Sequence, residues 1–425
     1  MIYFPIFNLF NKIQNCFQEN LQIPLSNNKI EPPSSLHSYS TFLTILPTEC
    51  VQKIIQYLLE EKQGLYSCLL INRYWFKIVI PYLWRQPFEL CSPKNRLKLF
   101  KTYLLCFDQI ELESLTIRMV DALHTFNLYP KKRNPLYNYF IFLRKVSSRE
   151  IEDIISPIYN ELGINKKSKL NQEFRIEIPK FNKLILHHIF KYSKNLNLFD
   201  LDHWMKGDIM TINDHDHDII KNSELPGLIG INKFKIKNIG VIIGGKSELF
   251  QFISTYCKNI TCIEISLFSL DYSKINIEKI ITDLIKLQNR LYEFKISHVN
   301  RNHDINPIME SLYSYQGKYL KTLSFTFVRF TEYSLNLLIR LERLKDLSLI
   351  FCVNITKNIL NQNIIRLERL QISCVPSFHN MLLDILNVYG GTLRVLDLNI
   401  HFKPFHKKIK ALCPNIIELN INSSY

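Results

Sequence analysis

The chain has 425 residues, more than one compact domain usually contains, which predicts two folded units or one elongated array. Its hydrophobic fraction of 47% is enough for a core, and its 11 glycines disfavour repeated phosphate-binding loops. Lys and Arg outnumber Asp and Glu by 53 to 38, a net charge of +15. Because this excess is dispersed, it favours a solvated basic surface over a nucleic-acid-binding stripe.

The start of the chain and its cysteines bear on location. Met1 to Phe10 is apolar and aromatic, but no basic residue precedes it and no small-residue cleavage site follows, so we expect no signal peptide. No run of eighteen apolar residues occurs, so we expect no membrane-spanning helix. The ten cysteines include no CxxC pair, which predicts reduced thiols in an intracellular protein, cytoplasmic or nuclear. Residues 1–40, rich in Pro and Ser at their end, read as a flexible lead-in.

The apolar residues within positions 41–90 recur at the spacing of a helix. Apolar residues first recur on one helical face at Leu46, Cys50, Val51, Ile54, Ile55 and Leu58. After a break predicted at Gly64, a second stripe runs through Leu65, Cys68, Leu69, Asn72, Phe76 and Val79, and Pro81 is predicted to end it. Helices this short cannot bury so much apolar surface alone, which predicts an interaction module.

These residues resemble an F-box over positions 46–88. The resemblance rests on an ordered set of motifs, namely Leu46-Pro47, then Glu49, Cys50 and Val51, then Ile54 and Leu58, then Asn72-Arg73-x-Trp75, and finally Leu83-Trp84. The Trp-Arg-x-Pro-Phe ending is similar to the large F-box families of fungi. Cys50 and Val51 stand where two leucines are commoner in the family, a departure that weakens the expected docking. The apolar stripes alone also fit a buried helical hairpin of an unrelated α domain.

The resemblance implies a partner and a set of contact residues. The partner is the small adaptor subunit of an SCF-type ubiquitin ligase and, through it, a cullin. The adaptor-binding residues carried over from the motif are Leu46, Pro47, Glu49, Cys50, Val51, Ile54, Leu58, Leu69 and Trp75. The protein would be a non-catalytic substrate receptor, with no cofactor, no metal and no catalytic residue of its own.

A recurring phrase marks residues 231–425: apolar, two residues, apolar, one residue, apolar. Its copies begin at Ile231, Ile260, Leu291, Leu320, Leu344, Leu367, Leu393 and Ile416, at intervals of 29, 31, 29, 24, 23, 26 and 23 residues. Residues 91–230 are predicted to hold a linker and irregular earlier copies, at Leu112-Leu115-Ile117 and Leu196-Phe199-Leu201. Helical spacing follows some phrases, as in Pro307 to Tyr315 and Met381 to Tyr389, with Gly317 and Gly390-Gly391 as predicted caps.

The phrase and its interval resemble a leucine-rich-repeat array. The resemblance implies an α/β fold, a helical F-box followed by a solenoid of short parallel strands and helices with the strands on its concave face. The family usually places Asn or Cys three positions past the third apolar residue, and only Cys352 does so here. An α-helical repeat or an unrelated α/β domain remains an alternative for this region.

Two further motifs carry possible chemistry. Gly240 to Ser247 satisfies a phosphate-binding loop pattern after a predicted strand at Phe234 to Ile236, but Val241, Ile242 and Ile243 favour a strand over a loop. Asp214 to Asp218 alternates carboxylate and imidazole groups, both of which can ligate a metal, but without a third cluster at a recognisable distance the motif favours a polar surface loop. No nucleophile elbow or ubiquitin-transferring Cys signature is present.

The sequence thus predicts a ubiquitin-ligase substrate receptor that binds an unidentified protein through its repeats, with no nucleic-acid or membrane partner. The alternatives are a repeat-based interaction scaffold that acts outside a ligase, and an NTPase built on Lys246. The first differs from the prediction in whether an adaptor and a cullin copurify. The second requires nucleotide binding that is lost on Lys246→Ala.

Overall fold

The computed structural model describes residues 46–59, 62–91, 95–115, 117–130, 135–147, 149–151, 153, 181, 184–201, 225–237, 253–267, 277–297, 304–355, 366–374, 379–400 and 406–422. The chain divides into two compact units, Met1–Thr102 and Tyr103–Tyr425. The predicted lead-in at residues 1–40, the Gly240–Ser247 loop and the Asp214–Asp218 motif lie outside the described residues. None of the helices in these described ranges is long and apolar enough to cross a membrane.

The first unit is helical. Its helices are α1 (Thr48–Tyr57), α2 (Lys62–Leu69), α3 (Arg73–Leu83) and α4 (Pro87–Leu90), with α5 (Arg96–Leu104) continuing past its boundary. One hydrophobic cluster joins α1, α2 and α3, and its buried members are Val51, Ile55, Leu58, Leu65, Cys68, Trp75, Val79 and Leu83. Three short helices therefore share a single core, as their apolar stripes predict.

The predicted second stripe proves to be two helices. Gly64 lies inside α2 and is buried, so the break predicted there is wrong. The first helix ends earlier, at Tyr57, and the second begins at Lys62. A further break comes at Asn72, because its side chain caps the start of α3 and an extended backbone at that residue ends the preceding turn. Pro81 does not end α3, since the helix runs on to Leu83 and the Trp84 N–H still reaches the Ile80 carbonyl at 3.1 Å.

The segment after the first unit begins with helices. They are α6 (Gln109–Glu113), α7 (Ile117–Thr125) and a 3-10 turn at Tyr139–Phe142. The early repeat predicted at Leu112-Leu115-Ile117 is therefore wrong. A capping box at the start of α6 decides the local structure, because Asp108 accepts from the Glu111 N–H at 2.8 Å while Glu111 accepts from the Asp108 N–H at 2.9 Å.

A ten-stranded parallel sheet organises the second unit. The strands pair in chain order and are β1 (Lys145–Ser147), β2 (Leu198–Leu201), β3 (Lys233–Lys237), β4 (Cys262–Ser266), β5 (Glu293–Ser297), β6 (Thr322–Thr326), β7 (Asp346–Ile350), β8 (Arg369–Cys374), β9 (Val395–Ile400) and β10 (Glu418–Asn422). Each strand from β3 to β10 begins two residues after a phrase start, so the phrase located all eight. Strand β2 lies at the proposed early copy around Phe199.

The register stacks equivalent phrase residues into columns. The second apolar position pairs Phe234 with Ile263, Phe294, Leu323, Leu347, Leu370 and Leu396 through successive strands. These side chains are buried, whereas the alternate strand positions carry mostly polar residues. A parallel sheet with one apolar face follows from this alternation, because successive side chains point to opposite sides of a strand.

Helices separate many of the strands. They are α8 (Pro226–Ile229), α9 (Ile277–Lys286), α10 (Asn306–Ser311) with a π-helical turn at Leu312–Gln316, α11 (Glu332–Leu338), α12 (His379–Tyr389) and α13 (His406–Leu412). The helices predicted over Pro307 to Tyr315 and Met381 to Tyr389 are confirmed. Gly317 does follow its helix, but with φ −54° and not the left-handed backbone of a glycine cap.

Candidate functional site

The first turn of α1 is fixed by a tyrosine from α3. The Tyr74 hydroxyl lies 2.9 Å from Thr48 Oγ1 and donates to the Leu46 carbonyl at 3.3 Å. Pro47 occupies the N-cap position of α1, where its fixed φ of −54° suits the entry to a helix. The Leu46-Pro47 pair is thereby held at the helix start, next to α3.

Asn72 sets the start of α3. Its Oδ1 accepts from the backbone N–H groups of Tyr74 and Trp75, both at 2.9 Å. This cap satisfies two of the donors that a helix N-terminus leaves open. It also sets the direction of the two side chains that follow it, Tyr74 toward α1 and Trp75 into the core. The Asn-Arg-x-Trp motif therefore has a structural role in the unit, since Asn72 caps α3 and Trp75 packs in the core.

The nine predicted contact residues fall into three groups. Val51 and Trp75 are fully buried in the unit's own cluster, and Leu58 is 8% exposed. Leu46, Cys50, Ile54 and Leu69 are half-buried, and Pro47 and Glu49 are exposed. The structure places them on three helices and at the two ends of α1, but only the second and third groups present side chains at the surface.

Helix α1 has two adjoining stripes. Val51, Ile55 and Leu58 face the core. A second stripe, at helical spacings of three and four, comprises Pro47, Cys50, Ile54 and Tyr57, which are exposed or half-buried. We call this second set the α1 outer stripe. Ile54 also packs against the core cluster, so the described part of the unit covers this apolar surface only in part.

Three large apolar side chains outside the predicted set are exposed. Tyr57 is 74% exposed, Leu70 is 72% exposed and Tyr66 is 50% exposed. Tyr57 could have been found from its spacing to Ile54, whereas Leu70 lies in the α2–α3 connection, where periodicity gives no signal. Tyr74 was also missed, because its role is a hydroxyl contact across 28 residues of sequence.

The cysteines of both units are poor nucleophiles where burial is deep. Burial raises the pKa of the Cys68, Cys257 and Cys352 thiols to about 12, so each stays protonated near neutral pH. Cys352 donates to the Phe325 carbonyl at 3.3 Å, so it serves the backbone of the neighbouring strand. Within the described residues, no group of three or more His, Cys, Asp or Glu side chains is placed to hold a metal ion.

Comparison with known families identifies the first unit. Residues 43–89 match the family model described as F-box-like, a stretch of 47 residues in a chain of 425. The match confirms the F-box predicted over positions 46–88, and its bounds enclose α1, α2 and α3. No curated protein matches the chain. The chain thus contains an F-box-like domain, followed by a separate unit with a ten-stranded parallel sheet.

Proposed function

We propose that this protein is the substrate-recognition subunit of an SCF-type ubiquitin ligase. The observation that carries the proposal is the F-box-like domain, whose first helix has a partly exposed apolar stripe beside its core-facing one. An F-box docks on the small adaptor subunit of the ligase and, through it, on a cullin. A second unit with an extended parallel sheet supplies a surface for a target protein.

The α1 outer stripe is the proposed adaptor contact, together with Leu46 and Leu69. Burying such apolar surface contributes roughly 25 cal/mol per Å², so a few side chains account for much of the binding energy. Within the stripe Tyr57 is 74% exposed, and we add Leu70 of the α2–α3 connection to the proposed contact because it is 72% exposed. Glu49, exposed in the first turn of α1, adds a polar rim.

Val51, Leu58 and Trp75 support docking without direct contact. Their side chains fill the cluster that sets the angle between α1 and α3. Replacing them alters the docking surface only by destabilising the unit. Replacing a fully buried Trp with Ala lowers the free energy of unfolding by about 3–5 kcal/mol. Loss of binding in such variants would therefore report on the fold of the unit.

The second unit is proposed to be a leucine-rich-repeat-like solenoid that holds the substrate. Two observations support this proposal. The ten strands pair in the order in which they occur in the chain, and each strand from β3 to β10 begins two residues after the start of a phrase. Repeat units that contact only their neighbours stack in this way. The protein would then act without chemistry of its own, by holding a substrate lysine near a charged ubiquitin carrier.

The test is copurification from cells that contain an adaptor and a cullin. The full chain is compared with a Pro47→Ala, Ile54→Ala double variant, which truncates the α1 outer stripe. A Gln52→Ala, Gln56→Ala double variant is the matched control, because both glutamines are exposed on the same helix. Circular dichroism of each purified chain establishes that the helices are retained.

We expect the wild type and the glutamine variant to recover adaptor and cullin, and the stripe variant to recover at least about tenfold less. Absence of both ligase subunits from the folded wild type would contradict the proposal and leave the interaction scaffold as the remaining reading. A chain lacking residues 41–90 identifies substrates in the same experiment. Proteins recovered with and without this segment bind the second unit.

A further inference from the structure

Basic side chains gather where strands β5 to β9 begin. The residues just ahead of these strands are joined by backbone hydrogen bonds from one repeat to the next. Lys321 donates to Tyr292 at 2.9 Å, Lys345 to Lys321 at 2.9 Å, Glu368 to Lys345 at 2.8 Å, and Arg394 to Glu368 at 2.8 Å. Consecutive residues in this row are therefore about 4.8 Å apart, the spacing of paired strands.

We call this border of the sheet the amino edge. Its exposed basic residues are Arg290, Lys318, Lys321, Arg343, Lys345, Arg366 and Arg394. Among the described residues of the same border, the acidic ones are Glu342, which is exposed, and Glu293, Asp346 and Glu368, which are half-buried. Glu368 pairs with Lys345 at 2.6 Å. The exposed Arg369, the first residue of β8, adds a further positive charge. The dispersed charge of the sequence thus becomes a local positive band, because the register brings together residues that lie 23 to 29 positions apart.

Two of the basic side chains of this band lie over tyrosine rings. The Arg290 guanidinium lies 5.9 Å from the ring centre of Tyr319, and the Lys321 ammonium lies 5.2 Å from that of Tyr292. Such contacts orient the cations and reduce the entropy lost when they bind a ligand. The end of the band near β5 is therefore partly pre-organised.

The other end of the band opens into a pocket of about 640 Å³. Arg366 and Arg394 line it together with one carboxylate, that of Glu368, with the polar Asn415 and with Ile417, which is 80% exposed. Asn415 donates to the Gly391 carbonyl at 2.7 Å, which fixes the pocket wall. Two guanidinium groups in one concavity suit a carboxylate or phosphate group, which each can bind in a bidentate manner.

We infer that the amino edge binds an acidic, extended segment of a protein, with one acidic group seated between Arg366 and Arg394. The inference rests on the proposed function, since it assigns the substrate class of the second unit. The ligand chemistry is a carboxylate or a phosphorylated side chain, and both fit the pocket.

The charges of the edge favour a protein segment over nucleic acid. Glu368 lies in the middle of the hydrogen-bonded row, between Lys345 and Arg394. A phosphodiester backbone carries a negative charge on every nucleotide and cannot avoid Glu368, whereas a peptide can place an uncharged residue against it. A peptide offers acidic groups to the cations, and it also offers apolar groups for the exposed Ile417 beside the pocket.

The test uses the purified full chain and fluorescence polarisation. The probes are a labelled peptide of alternating Glu and Ala, the same peptide with phosphoserine for Glu, the matching Gln peptide, and a single-stranded oligonucleotide of equal charge. The variant is Arg366→Glu with Arg394→Glu. Its control is Lys407→Glu with Lys410→Glu, which makes the same change of net charge at exposed positions of α13.

We expect at least one acidic peptide to bind, the Gln peptide to bind at least about tenfold more weakly, and the arginine variant to lose about tenfold in affinity. The lysine control should stay within about twofold of wild type. If the arginine variant is unfolded, Arg366→Gln with Arg394→Gln replaces it. Three outcomes would overturn the inference. They are an equal loss of affinity in the arginine and lysine variants, equal affinity for the Gln and acidic peptides, and tighter binding of the oligonucleotide than of the acidic peptides.

The result is separable from the proposed function. Adaptor recovery is measured on the same arginine variant and depends on the first unit. Retained adaptor with no peptide binding in the wild type refutes the acidic-segment inference alone. Peptide binding without adaptor refutes the ligase role alone.

Discussion

The fully buried Gln316 side chain accepts a 3.0 Å hydrogen bond from the backbone N–H of Leu291, the first apolar residue of the preceding phrase. Its amide nitrogen donates to the carbonyls of Ile285 and Gln288, at 2.9 and 2.8 Å. Gln288 repeats the arrangement one strand earlier, where it accepts from the Ile260 N–H at 2.9 Å. Two stacked glutamines thus satisfy backbone groups at the junctions between consecutive repeats, where unpaired polar groups would be costly.

Gln316→Leu should therefore destabilise the second unit by about 2–4 kcal/mol, because the buried Leu291 N–H and the carbonyls of Ile285 and Gln288 each lose a hydrogen bond at once. Hydrogen exchange measured by mass spectrometry should show faster exchange at Leu291 and in the neighbouring strand β5. Gln371→Leu is the control, since Gln371 is half-buried and accepts from Ser348 Oγ alone at 2.9 Å. Equal exchange in the two variants would contradict the role assigned to Gln316.

Adjacent glycines after α12 should respond in opposite ways to alanine. A Cβ on Gly390 would meet the backbone carbonyls of Leu386 and Leu412 at contact distances too short for a carbon atom. We expect Gly390→Ala to cost more than about 2 kcal/mol of unfolding free energy, because backbone on both sides must move.

Gly391→Ala is the matched variant, because a Cβ at that position meets nothing within 4 Å. It should be neutral or stabilise by up to about 1 kcal/mol, through the reduced freedom of the unfolded chain. Urea unfolding followed by circular dichroism compares the two chains. A loss of similar size at both positions would contradict the close approach assigned to Gly390.

Asn72→Ala should lower the stability of the first unit by about 1–2 kcal/mol, because the α3 N-terminus loses the cap on Tyr74 and Trp75. Asn72→Asp keeps the accepting oxygen and adds a negative charge at the helix N-terminus, so it should unfold near the wild-type midpoint. Tryptophan fluorescence is a suitable readout because Trp75 is fully buried. Alanine and aspartate variants with the same midpoint would argue against the cap.

Glu111 gives the second unit a predictable response to acid. Its carboxylate pairs with the buried His188 imidazole at 2.7 Å. Burial raises the pKa of Glu111, but the His188 side chain and the Asp108 N–H outweigh this and bring it below the ordinary value. A lowered folded-state pKa stabilises the folded protein above the unfolded-state pKa, and this contribution disappears as the pH falls through the folded-state pKa.

Glu111→Gln should therefore cost about 1–2 kcal/mol near neutral pH and leave a shallower decline of stability on the acid side. Urea midpoints measured from neutral pH down through the carboxyl range give both quantities. Glu113→Gln is the control, since Glu113 is exposed on the same helix and accepts from Gln109 at 2.7 Å. If the urea midpoint of the wild type fell no more steeply with decreasing pH than that of Glu111→Gln, the Glu111 carboxylate would not be the source of the acid sensitivity.

The sequence by itself determined where strands β3 to β10 lie and where the F-box begins. Each phrase from Ile231 to Ile416 carries its strand at a fixed offset, because the alternation of apolar and polar residues is a local property of extended chain. The order of motifs from Leu46-Pro47 to Leu83-Trp84 identified the F-box for the same reason, since its helices are contiguous in sequence. The Leu112 copy failed where a capping box overrode the same apolar spacing.

Only the tertiary structure decided which residues are available at the surface and which distant residues meet. Val51 and Ile54 read alike as apolar positions of one helix, yet packing against α3 buries the first and leaves the second half-exposed. The charges of Lys345 and Arg394 were dispersed in the sequence, and the register of the sheet placed them in one row. Burial and register depend on contacts between residues far apart in the chain, which no local pattern encodes.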